Sequence, residues 1–277
     1  MSGRVWWRQT NGLIGGGIVA VLLIAILVGL FWLPFDPTAI DLRARLASPS
    51  ATHWLGTDEF GRDVFSRLVR GAQTSTGIAA ITVACAVALG SLIGLAAGFF
   101  GGWLDRFLMM LTDALLAFPG ILLALALMVV LGGSRAGLVV ALTLAYAPAV
   151  IRVVRGAVLS LREREFIESS RVIGNGAAYT LLRHVLPNTF APVAVLATSM
   201  FGWVVLSESA LSFLGLGVAP PAPTWGNMLA GSRPYLDQAP WLSLAPGFAI
   251  ALTLGAINLL GDALRDRLDP RMAAAAA

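Results

Sequence analysis

The chain contains no lysine: all nineteen of its basic residues are arginines. That absence removes two kinds of chemistry. A Walker-type nucleotide loop needs a lysine on the phosphates, and a Schiff-base enzyme needs one as nucleophile. Any ATP-driven work must therefore be powered by another polypeptide. Cysteine is nearly absent too, with Cys85 alone in an apolar run. No intrachain disulfide can form, and Cys85 reads as a small buried hydrophobe. There are two histidines, His53 and His184. Charge is scarce as well, at 12% of 277 residues, against roughly a quarter in ordinary globular domains.

Hydrocarbon takes the place of charge. Apolar residues make up 57% of the chain, and several runs exceed the roughly 20 residues that cross a bilayer as a helix. This composition excludes a soluble protein. It reads as an all-α polytopic membrane protein. The formal charge of +4 is spread over loops; it serves orientation and anionic headgroups and calls for no nucleic acid.

Six spans are expected, over residues 12–33, 74–100, 107–133, 136–154, 189–216 and 243–261. Arg4 and Arg8, beside Trp6 and Trp7, precede the first. That run is too long for a signal-peptide core and no small-residue cleavage site follows it, so it reads as an uncleaved span with interfacial tryptophans. The second span is uncharged and rich in glycine and alanine, which lets helices approach closely. The third holds Asp113 and Pro119; the fourth holds Pro148 and ends in Arg152 and Arg155, which can snorkel to the interface. The fifth holds Pro192 and Glu208.

The organisation that follows has three parts. Residues 1–73 are an amino end, a first span and a polar extracytoplasmic segment. Residues 74–264 form a five-helix core with a cytoplasmic loop at 156–188 and an extracytoplasmic loop at 217–242. Residues 265–277 are a cytoplasmic tail, whose closing run of five alanines is low-complexity and set aside. With the amino end inside, twelve arginines fall on the cytoplasmic side and seven on the other, as the positive-inside rule prefers.

The segment Leu161 to Asn188 stands out. Six of the ten residues from Arg162 to Arg171 are charged. A helix here would stack Arg164, Glu168 and Arg171 on one flank, with Phe166, Ile167 and Ile173 as a greasy side. Gly174 and Gly176 would end it. Residues 177–185 can form a second short helix, and Pro187 suits the opening of the next span. The result is an amphipathic hairpin built to be gripped from the cytoplasm, or else an ordinary connecting loop.

No enzyme constellation is present. Asp58, Glu59 and Asp63 beside His53 lack the alternating spacing of a calcium loop, and a lone histidine is a poor zinc anchor. They read as a surface of paired charges and tight glycine turns. There is no HExxH and no GxSxG. His53 and His184 fall on opposite sides of the membrane in this topology. Asp113 and Glu208 are the acids within spans, where an ionisable group costs at least about 2.5–3.5 kcal/mol and should face a cavity or a partner. Each is a candidate for the translocation path or gate. Asp113, near its helix start, reads first as a structural hydrogen bond; for Glu208 the two readings stand level.

Glu168-Ser169-Ser170, then Gly174, then His184-Val185-Leu186-Pro187 resembles the EAA loop of binding-protein-dependent ABC importers, with Glu-Ser-Ser where Glu-Ala-Ala is usual. Three further stretches are similar to inner-membrane permeases of dipeptide and oligopeptide importers of the DppC/OppC type. They are His53 to Arg67, Asp113 to Pro119, and Leu211 to Gly217 continuing to Pro221 and Trp225-Gly226-Asn227. The resemblance implies a type I ABC importer permease fold of six transmembrane helices in the inner membrane of a prokaryote. It implies a homologous second permease, two ATPase subunits holding ATP and Mg, and an extracytoplasmic peptide-binding protein. It places Glu168, Ser169, Ser170, Arg171 and Gly174 against an ATPase. Peptide is the implied cargo; nickel chelates and haem-like cargo belong to the same pattern. An ion-coupled secondary transporter would need a midplane ion site and usually an internal repeat, and no convincing repeat relates the halves. An intramembrane enzyme would need a catalytic pair, which Glu208 alone does not make.

Overall fold

The computed structural model describes residues 10–268, and of Arg171 the backbone alone. The expectations for Arg4, Trp6, Trp7, Arg8 and Arg271 lie outside the described residues. Among those described the fold is helical, without a β-strand. In chain order it runs α1 (Thr10–Phe31), α2 (Val64–Phe100), α3 (Gly102–Leu116), α4 (Gly120–Leu131), α5 (Arg135–Arg162) and α6 (Glu165–Val172). There follow α7 (Ala177–Thr180), a π-helical turn at Leu181–Val185, α8 (Leu186–Asn188), α9 (Phe190–Phe213), α10 (Trp225–Ser232) and α11 (Trp241–Leu268).

Helices α1, α2, α5, α9 and α11 are each long and apolar enough to cross a membrane. The third expected span is not one helix. It is the pair α3 and α4, bent by 92° at Ala117–Pro119, and it makes a sixth crossing if the pair counts as one broken span. A local contribution comes from Pro119, which disfavours the helical conformation at Phe118 and cannot donate an amide hydrogen bond. Two other expectations also move. The helix expected at 74–100 begins ten residues earlier, at Val64, and at 37 residues it is about 55 Å long, well beyond a hydrocarbon core of about 30 Å. The sixth span, expected to end at residue 261, continues as helix to Leu268.

α2 and α5 form the centre of the bundle. Gly90, Gly94 and Gly98 recur every fourth residue along α2 and receive Val150, Val154 and Val158 of α5. A methyl group added at Gly94 would come within 2.8 Å of the Val154 Cβ and 2.7 Å of the Ile151 carbonyl oxygen. Backbone therefore packs against side chain with nothing between them, the arrangement small residues permit in membranes. α4 lies along α5, α9 closes on both α2 and α5, and α1 and α11 pair at the periphery. Gln73 on α2 donates from Nε2 to the Ile26 carbonyl of α1 at 2.9 Å. Cys85, expected to be buried, is exposed on α2, because it lies on a face that no other helix of this chain covers.

With the helices taken as crossings, the turns separate into two sets. Residues 32–63, 132–134 and 214–240 share one end of the bundle. The α2–α3 turn, residues 163–189 and both described chain ends share the other.

Candidate functional site

The hairpin expected at residues 161–188 exists, with a different internal arrangement. Arg164 lies just before α6 and starts it, its carbonyl accepting from the amides of Ile167 and Glu168 at 2.9 and 3.2 Å. Gly174 ends the turn with φ at +89°, a conformation glycine reaches without the Cβ penalty. The expected greasy side divides. Ile167 is fully buried as part of the main hydrophobic core, while Ile173 is 79% and neighbouring Val172 82% exposed. Ile173 lies beyond the end of α6, so the helical period no longer governs where it points. Ser170 turns inward: its hydroxyl meets that of Thr180 at 3.1 Å and accepts from Asn175 Nδ2 at 3.1 Å. Glu168 and Ser169 face outward and, with Glu165, Val172 and Ile173, line a shallow concavity of about 440 Å³. The side chain of Arg171 lies outside the described residues. His184 sits in the π-helical turn with the rings of Tyr179 and Phe166 at 5.7 and 6.5 Å.

At the opposite end, Glu208 is fully buried on α9. Ser212 Oγ donates to it at 2.7 Å and Ser209 Oγ approaches at 3.5 Å. The hydroxyls of Ser75 on α2 and Thr224 also face this carboxyl. Ser75 Oγ in turn accepts from the Trp225 amide at 3.2 Å, and Trp225 Nε1 donates to the Leu68 carbonyl at 3.1 Å. Thr224 caps α10 through a reciprocal pair with Asn227. Glu208 is thus the acceptor around which α2, α9 and α10 meet, as a buried carboxyl requires. In this conformation it is enclosed. The spacing of Ser212, four residues after Glu208 on one helix, was the signal for this contact; Ser75 and Thr224 left none.

Asp113 has a different setting. Arg152 of α5 donates to it at 2.6 Å, and the two side chains are 59 and 60% exposed. Nearby, Arg155 grips Asp105 with bonds of 2.5 and 2.7 Å. Read from sequence as residues that snorkel, Arg152 and Arg155 instead pair with acids of α3; partners 39 and 50 residues away leave no local pattern.

The segment before α2 is built from paired charges. Asp63 caps α2, accepting from the Ser66 amide and hydroxyl at 2.8 Å each, and pairs with His53 Nδ1 at 2.9 Å. His53 stacks on Phe35. Arg62 bonds Asp58 at 2.6 Å and Glu59 at 3.2 Å, and Arg67 Nε lies 3.3 Å from Asp58. Asp36, in the solvent-exposed start of the segment, is held below the usual carboxylate range by hydrogen bonds from Thr38. Between this segment and the loop around α10 opens a cavity of about 710 Å³, lined among others by Glu59, Arg62, Val218, Met228 and Leu242.

Residues 90–274 match the family model for the binding-protein-dependent transport system inner membrane component. The chain belongs to that family. This permease is 45% identical over 228 residues to the dipeptide transport system permease protein DppC of Alkalihalophilus pseudofirmus, an alignment covering 82% of this chain and 75% of that one. It is 40% identical to the glutathione transport system permease protein GsiD of Pectobacterium atrosepticum, over 97% and 91% of the two chains. A putative peptide transport system permease protein of Brucella suis is 39% identical, over 98% and 92%. Among solved structures, the permease resembles the methionine ABC transporter MetNI in an inward-facing conformation, with a TM-score of 0.59 over 73% of this chain and 96% of that one. At 19% identity that likeness is one of fold alone. The matched region takes in α5, the hairpin of α6 and α7, α9 and α10, so the hairpin, Asp113, Arg152 and Glu208 lie on the family's shared part, whereas Ser75 and the segment before α2 precede it. The permease is a multi-pass membrane protein.

Proposed function

We propose that this permease is one of two homologous membrane subunits of an ATP-driven peptide importer in the cytoplasmic membrane. Both chain ends and the α6–α7 hairpin would lie in the cytoplasm. The observation that carries the coupling role is the hairpin's two-sidedness: Ser170 and Thr180 brace it from within, while Glu168, Ser169, Val172 and Ile173 stand outward around a concavity. Exposed aliphatic side chains beside an acid suit a protein partner better than solvent. With Arg171 and Gly174, these outward residues form the face for an ATPase subunit, one beneath each permease. ATP and Mg belong to those subunits, since the lysine-free chain cannot build the phosphate-gripping loop.

The mechanics follow from stiffness. ATP-driven closure of the two ATPases would draw the two hairpins together. The hairpin continues through α8 into α9, and Ile167 and Val185 pack into the bundle core, so its displacement is passed to the span that carries Glu208. A ligand can shift such an equilibrium only by binding one state better than the other. The binding protein would supply that difference at the end where the cavity of about 710 Å³ opens. Peptide as the cargo draws support from the named relatives.

The test is Glu168→Arg in the complete assembly, reconstituted with its binding protein. Hydrolysis should persist while uptake is lost and the subunits still copurify. Full uptake by this variant would overturn the coupling role.

A further inference from the structure

The break between α3 and α4 lies beside an exposed ion pair, and both make the same demand on their surroundings. A helix that stops leaves the carbonyls of its last turn without intrahelical partners. At membrane depth such backbone is tolerated only where protein covers it or water reaches it. The pair of Asp113 and Arg152, on α3 and α5, remains well exposed although it joins two apolar helices. Charge against lipid tails is costly, so the pair also belongs to a cavity or a partner.

Holding α3 to α5 does not require this pair. Three residues further along α5, Arg155 grips Asp105 through two bonds in a part-buried setting. An exposed pair adds little stability. One pair therefore fastens α3, and the other lies at its surface, able to exchange partners.

We propose that Asp113 and Arg152 together bind the two charged ends of a zwitterionic peptide as it crosses. Arg152 takes the terminal carboxylate and Asp113 takes the terminal ammonium. This rests on the peptide-importer reading above and names the residues of this chain that select for free termini. The chemistry of each end fits: a guanidinium presents a planar fork of donors that matches a carboxylate, and an ionised carboxylate accepts from an ammonium. A peptide that engages both exchanges one ion pair for two, so no charge is left unpaired during passage. Selection then falls on the termini and leaves side chains free to vary.

The experiment uses the complete assembly in proteoliposomes with ATP. Its probes are dialanine, dialanine amide and N-acetyl-dialanine, each delivered at a concentration that saturates the binding protein. Arg152→Gln should lower uptake of dialanine and its N-acetyl form about tenfold to a hundredfold, the range for losing a hydrogen bond to a charged group, and leave the amide unchanged. Asp113→Asn should lower dialanine and the amide and leave the N-acetyl form unchanged. This crossed pattern cannot come from the binding protein, which is the same in every arm. Equal loss for all three probes overturns the proposal. So does loss of the second permease on purification, which would mark a structural contact. A defect that follows anionic lipid content would mark a headgroup contact and overturn it too. A wild-type assembly that hydrolyses ATP yet imports no peptide sinks the importer reading itself, and this proposal with it.

Discussion

Ser170 and Thr180 meet hydroxyl to hydroxyl at 3.1 Å across the turn that Gly174 makes. Both are buried, so the contact braces the hairpin from inside. Ser170→Ala should cost about 1 kcal/mol and raise amide hydrogen exchange across residues 165–185 while uptake stays near normal. Ser170→Leu overfills the site, at about 1–3 kcal/mol, and should reduce uptake in an assembly that still forms. Exchange and uptake indistinguishable from wild type in the leucine variant would show that the hairpin needs no internal brace.

Gly94 faces Val154 with no room for a methyl group. Gly94→Val should destabilise the permease by about 1–3 kcal/mol or more, seen as a lower thermal midpoint in detergent. Adding Val154→Ala to Gly94→Ala should recover part of the loss from Gly94→Ala alone, because the two positions share one contact. Simple additivity of the two changes would count against the close α2–α5 approach.

Glu208 organises the meeting of α2, α9 and α10 through hydroxyl donors. Glu208→Ala leaves those donors without their acceptor, at about 1–3 kcal/mol for each one left unsatisfied. Glu208→Gln keeps a carbonyl acceptor and should lose clearly less. A cysteine pair between α2 and α10 reports the same event independently: its crosslinking yield should fall in the alanine variant and hold in the glutamine one.

Asp63 both caps α2 and pairs with His53. Loss of the cap in Asp63→Ala should cost about 1 kcal/mol, and His53→Ala should then add little, since its partner is already gone. Asp63→Asn keeps a capping oxygen and should recover most of the thermal midpoint. Equal effects of alanine and asparagine would deny the cap its role.

Lengths of apolar run, the two glycines after Val172 and the residue types around Glu168 were readable in the chain itself. They place the spans and end the hairpin's first helix, because hydrocarbon thickness and backbone sterics act on each stretch without regard to distant partners. Which side of the hairpin is outer was a different matter. Ser169 and Ser170 are neighbours of the same type, yet one faces outward and the other meets Thr180, ten residues on. Arg152 and Asp113, and likewise Ser75 and Trp225, are joined across 39 and 150 residues. No period in the sequence encodes such pairs; they exist because packing of glycine-lined α2 on α5 sets the position of every other helix. Cys85 shows the same limit from the other direction, since its exposure is decided by where the remaining helices lie.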